Sequence, residues 1–224
     1  MNTTTIQNVG IAEGRKSAKL VMGGSLAEGI VGGATIVLAL IGLSGIMPEW
    51  MLPMATIAMG AAFVIEGGAI SVRFSRLLAE TSKDRIDEAE LGVGVTSEFL
   101  GGAAGIVLGI LSLLRLYPMI LVPVAVLGYG SVLMLSSGMT VRLNALEVEG
   151  SAESPRFKKI AHEAMTAAAG VEFLLGLSTV ILGIIALAGT FASTLSLVAL
   201  LIVGVSGFVT GAAVTARMVS LFHS

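Results

Sequence analysis

The sequence predicts an all-α membrane protein of six transmembrane helices, built as three parallel two-helix repeats. Three observations predict it. The chain of 224 residues is 55% hydrophobic and only 12% charged, about half the roughly 25% charge of a soluble domain. Apolar runs near 25–46, 52–72, 96–117, 119–141, 169–189 and 194–216 each supply the ~20 residues that cross a ~30 Å hydrocarbon core as helix. The chain also aligns with itself. Glu28, Gly32, Pro48, Pro53, Gly60 and Gly68 fall, 70 residues on, upon Glu98, Gly102, Pro118, Pro123, Gly130 and Gly138. A further 74 residues carry Glu98, Phe99, Leu100, Gly102, Leu108, Gly109 and Gly130 to Glu172, Phe173, Leu174, Gly176, Leu182, Gly183 and Gly204. Backbone groups in lipid must be satisfied within the segment, so these runs are helices, and they are too long for the strands of a membrane barrel.

In chain order, residues 1–22 form a polar lead and 23–73 the first hairpin. A charged connection follows at 74–95, the second hairpin at 96–143, an amphipathic connection at 144–168, the third hairpin at 169–217, and a tail at 218–224. Of thirteen Lys and Arg residues, twelve fall on one side under the six-span model, in the lead, the connections and the last residues of the hairpins; Arg115 alone falls at an outer turn. Positive residues favour the cytoplasm, so both termini are expected inside a plasma or bacterial inner membrane. The turns around 47–51, 116–119 and 189–194 then face out, with Trp50 and Tyr117 at headgroup level. The first span, preceded by Arg15, Lys16 and Lys19, is expected to direct insertion itself. Within 144–168, Phe157, Ile160, Ala161, Ala164, Met165 and Ala168 recur at helical spacing. They read either as a short interfacial helix or as an extension of the neighbouring span.

Each repeat has an even number of spans, so the repeats enter the membrane in one orientation, unlike inverted transporter repeats. A pseudo-threefold bundle and a linear row of hairpins satisfy the sequence equally well. Lipid tails are as apolar as leucine, so membrane helices associate where small residues let backbones approach. Gly32, Gly102, Gly105, Gly109 and Gly176 on first helices, and Gly60, Gly130 and Gly204 on second helices, are the expected packing positions.

Four glutamates are the candidates for a proton or cation site. Glu28, Glu98 and Glu172 share one place in each repeat, read as lying just inside the first helix near the cytoplasmic boundary. Hairpins end on Arg73, Arg142 and Arg217, at separations of 45, 44 and 45 residues from those glutamates, so an ion pair within each hairpin is geometrically available. The plainer readings are a first-turn glutamate favoured by the helix dipole, with Ser25 and Glu28 spaced as a capping box, and arginines that snorkel to phosphates. Glu66 is more unusual. Its repeat counterparts are Ser136 and Thr210, and intramembrane carboxyls tend to be functional; a hydrogen bond to a neighbouring helix is the alternative. Arg115 and Glu49 are both expected at the outer surface, where they can pair. No catalytic setting, cofactor motif or metal-ligand spacing is found, and no partnership with nucleic acid is expected.

The hairpin has a Gly-rich first helix, a proline-marked outer turn, and a second helix of the form Gly60-x7-Gly68 or Gly130-x7-Gly138 that ends near arginine. In this it resembles HdeD-like membrane proteins, which are built from short two-helix repeats in a six-span chain and are associated with bacterial acid resistance. The resemblance covers roughly residues 25–217. The third repeat has Ala192 and Leu197 in place of the prolines. It implies a non-enzymatic integral membrane protein with a structural, assembly or membrane-stress role. The bilayer, and a second copy or another membrane protein, are then its partners. The competing expectation is a small proton or cation channel or transporter using the glutamates.

Overall fold

The computed structural model describes residues 26–80, 88–150 and 155–222, with side-chain detail over 26–68, 97–138, 163 and 166–212. The described residues form six helices and no strand: α1 (Leu26–Leu43), α2 (Pro48–Glu80), α3 (Glu88–Leu113), α4 (Pro118–Gly150), α5 (Pro155–Leu187) and α6 (Ala192–Phe222). Five of them are long and apolar enough to cross a membrane; the apolar stretch of α3, Ser97–Leu113, is the short one.

The turns that join α1 to α2 and α3 to α4 repeat a single stop signal. The N–H of Ile46 donates to the carbonyl of Ile41 and that of Gly45 to Gly42. The same pair of bonds runs from Leu116 to Leu111 and from Arg115 to Ser112. These crossed bonds satisfy the last carbonyls of a helix and put the following residue in the left-handed region. Glycine takes that conformation at Gly45 (φ 85°) and Gly189 (φ 86°), but in the middle turn Arg115 takes it (φ 64°). Pro48 and Pro118 then open α2 and α4, where a missing N–H costs nothing.

The centre of the bundle is built from the second helices, with α2, α4 and α6 in mutual contact. Its layers follow the repeat: Ala55, Ala125 and Ala199 are all buried, as are Met59, Tyr129 and Val203, and Phe63 and Leu133. The first helices lie outside these. Ile30, Val37 and Leu40 on α1, Val107 and Ile110 on α3, and Val171, Ile181 and Ile184 on α5 are exposed. An apolar exterior of this extent is what lipid, not water, solvates.

Three glycine seams hold first helices to second helices. A Cβ on Gly102 would lie 2.6 Å from the carbonyl oxygen of Gly60, and one on Gly176 2.7 Å from that of Gly130. A Cβ on Gly32 would lie 2.6 Å from the Phe208 nitrogen and 3.0 Å from the Gly204 oxygen. So α3 packs on α2, α5 on α4, and α1 on α6. Contact between the first helix and the last joins the ends of the chain, which a linear row of hairpins would leave apart.

The glycines of α3 divide between two neighbours. Gly102 and Gly109 face α2, the latter at Ile57 and Pro53, whereas a Cβ on Gly105 or Gly101 would run into Tyr129 or Val132 of α4. The connections are also more regular than an interfacial helix would make them. Residues 155–168 belong to one continuous 33-residue α5, and much of 74–95 and 144–150 continues α2, α3 and α4.

Candidate functional site

Glu28, Glu98 and Glu172 each stand 15 residues before the outer end of their helix, at Leu43, Leu113 and Leu187. At 1.5 Å per residue that is ~22 Å inward from the outer end. Glu66 stands 18 residues after Pro48, ~27 Å inward. The three first-helix glutamates therefore stand ~5 Å nearer those helix ends than Glu66 does. Glu98 and Glu172 do not sit in first helical turns, since α3 begins at Glu88 and α5 at Pro155. A sequence-based reading takes the drop in hydropathy for the start of the helix, but the helices run on past it.

Burial differs even among glutamates at the same place in the repeat. Glu98 is 1% exposed and Glu28 4%, whereas Glu66 and Glu172 are half-buried. The four belong to α1, α2, α3 and α5. Glu98 lies within electrostatic range of Glu66, Glu172 and Glu28, and Glu28 within range of Glu66 and Glu172. Four like-charged carboxyls in one apolar surrounding repel one another when ionised. Glu28 Oε1 and Glu98 Oε2 are buried with no hydrogen-bond partner. Only Glu172 has a hydrogen-bonded side chain opposite, Ser136 on α4, whose Oγ donates to its Oε1 at 3.4 Å.

Nothing basic offsets these charges among the described side chains. Arg115 is their one cation, and it sits at the opposite end of the bundle, its guanidinium 5.2 Å from the centre of the Trp50 ring. That stacking replaces the pairing with Glu49 expected from sequence. The side chains of Arg73, Arg142 and Arg217 lie outside the described residues, and with them the expected ion pairs. Among the described residues no three His, Cys, Asp or Glu are placed to hold one metal ion.

Two local departures from the repeat shape the space around the cluster, and neither figures in the sequence reading. Gly207 is the repeat counterpart of Phe63 and Leu133; with no side chain there, Met59 and Glu28 reach in, Glu28 Oε1 to 3.9 Å of where a Cβ would stand. Gly105 is the counterpart of Thr35 and Thr179, and it admits Tyr129, itself the counterpart of Met59 and Val203. The Tyr129 hydroxyl then donates to the Thr56 carbonyl at 2.6 Å. The signal for both was present in the threefold alignment, as a large residue facing a small one where other repeats have middle sizes.

The glutamate cluster can bind and exchange protons; its geometry provides no nucleophile–base pair. Compared with protein-family models, with curated proteins and with solved structures, the chain finds no match.

Proposed function

We propose that this is a non-enzymatic multi-pass protein of the cytoplasmic membrane, both termini inside, with a structural or membrane-stress role of the HdeD-like kind. The carrying observation is the filled centre. The layers of α2, α4 and α6 are occupied by buried side chains from Leu52 to Leu133, leaving the bundle's exterior as the surface that meets lipid. Such a body supports membrane integrity better than it supports an open pore. The six-span reading of the sequence, which puts twelve of thirteen basic residues on one side, supports the orientation.

The test is paired. Purified protein in liposomes should add no ion leak above that of empty vesicles. Cells lacking the protein should lose viability on a shift to acid, and regain it with the native chain but not with Gly102→Leu. A vigorous leak, or deletion without consequence under acid and osmotic stress, would sink this role.

A second reading, a proton or cation transporter, is favoured by the unpartnered carboxyl oxygens of Glu28 and Glu98. It predicts proton movement in the same liposomes once a gradient is imposed, abolished by Glu98→Gln.

A further inference from the structure

Glu66 holds the place in α2 that Ser136 holds in α4, and Glu98 and Glu172 hold matching places in α3 and α5. Each pair spans a glycine seam of the same kind, Gly60 to Gly102 in one and Gly130 to Gly176 in the other. Across the second seam Ser136 Oγ reaches Glu172 Oε1 at 3.4 Å, its single proton shared between that carboxyl and the Leu133 carbonyl of its own helix at 3.3 Å. A hydroxyl can donate, an ionised carboxylate can only accept, and a carboxylic acid can do both. The first seam holds a carboxyl at both matching places, with Glu98 in electrostatic range of Glu66, and two ionised carboxylates offer acceptors but no donor unless a proton is bound.

Among the described side chains no other donor reaches the buried oxygens of this cluster. Glu98 is 1% exposed and its Oε2 has no partner, and Glu28 Oε1, on the far side of the cluster, is equally buried and unpartnered. A buried polar atom left without a partner is costly, and more so when charged. The titratable groups facing the Glu66–Glu98 pair are Glu28 from α1 and Glu172 from α5. At the matching places α4 and α6 present Ser136 and Thr210, which do not titrate. With no metal-holding arrangement among the described residues and Arg115 at the other end, a proton is the ligand that fits. It needs no coordination shell, and it turns an acceptor into the missing donor.

We propose that the glutamate cluster is a proton-binding site centred on Glu66 and Glu98, where a bound proton makes one carboxyl the donor that Ser136 is in the adjacent repeat. The site goes beyond both functional readings, because a bound proton serves a sealed structural bundle as well as a transporter.

Infrared spectroscopy of the full chain in phosphatidylcholine vesicles tests it. A carbonyl band of protonated carboxyl, moving to lower frequency in D₂O, is expected at neutral pH. Glu66→Ser should remove the larger part of that band while leaving the helical circular dichroism intact, since serine already serves at position 136. Glu98→Gln should do the same and decides the matter alone if Glu66→Ser does not fold. Glu163→Gln, at an exposed position, should leave the band unchanged. Absence of the band between neutral and mildly acidic pH, or its persistence in both Glu66→Ser and Glu98→Gln, overturns the proposal. So does its displacement when sodium replaces choline at fixed pH, which would make the ligand a cation.

Discussion

Tyr129 on α4 donates its hydroxyl to the main-chain carbonyl of Thr56 on α2, 73 residues away and 2.6 Å distant. It reaches there through a notch that Gly60 and Gly105 leave open, with its ring 5.3 Å from that of Phe63. This one side chain ties the first hairpin to the second, and it does so only because its neighbour on α3 is glycine.

Gly105→Thr should therefore destabilise by about 1–3 kcal/mol, the usual cost of overpacking. The double variant Gly105→Thr/Tyr129→Met installs the Thr35/Met59 combination of the first repeat and should recover most of that loss. Thermal melts in detergent of the two singles and the double measure the coupling. Additive losses would mean that ring and glycine do not share one space.

Gly102 and Gly128 should respond oppositely to alanine. A Cβ on Gly102 meets the backbone of Gly60 and Val64 at 2.6–2.8 Å, whereas one on Gly128 meets nothing within 4 Å. Alanine in an open helical position gains about 0.5–1 kcal/mol over glycine. Gly128→Ala should raise the melting temperature, and Gly102→Ala should lower it by separating α2 from α3. A lowered melt for Gly128→Ala would show a neighbour at that face, such as a second copy.

Arg115 combines backbone strain with a compensating contact. A side chain in the left-handed region costs about 1–2 kcal/mol, and stacking on Trp50 returns about 0.5–1 kcal/mol. Arg115→Gly removes both and matches Gly45 and Gly189, so it should be neutral to mildly stabilising. Arg115→Ala keeps the strain and loses the contact, and should be worse than glycine by about 1 kcal/mol. Melts followed by Trp50 fluorescence distinguish them; equal stability would remove the strain argument.

Glu28→Met should make the protein more stable, by about 1–3 kcal/mol, because it removes a buried oxygen with an unmet hydrogen bond. The measurement is a melt at neutral pH beside Gly105→Thr as a destabilised reference. A loss of stability would show that Glu28 holds α1 to its neighbours, and that the unpartnered oxygen has a partner in the membrane.

Much of the fold can be read in the sequence because lipid leaves few options. Apolar runs of membrane length must be helices, and the alignment of Glu28, Glu98 and Glu172 marks the same place in three of them. The depth of those residues could not be read, since hydropathy records what touches lipid and not where a helix starts. The residues before Glu98 and Glu172 are small, with Thr96, Ser97, Thr166 and Gly170 among them, and resemble a helix start, yet α3 and α5 are already formed there. Which neighbour each glycine of α3 would meet was equally hidden. Gly101, Gly102 and Gly105 are close on a helical wheel, and only the size of Tyr129 sends Gly105 to α4 while Gly102 stays on α2. The carboxyl site was legible as a list of candidates but not as an arrangement, because the glutamates converge across seams between successive hairpins.

The seam between α1 and α6 has a consequence for how the protein is made. Gly32 waits for Gly204, and every other span is synthesised between them. The seams of α2 with α3 and α4 with α5 can form as soon as the later helix of each pair enters the bilayer. Helix α1 is held early only by its own hairpin, where a Cβ on Gly42 would meet Met51 at 3.2 Å. Its glycine seam closes with the sixth helix, which also brings Gly207 beside Glu28. The order in which this helix is made and the order in which its seam closes therefore differ.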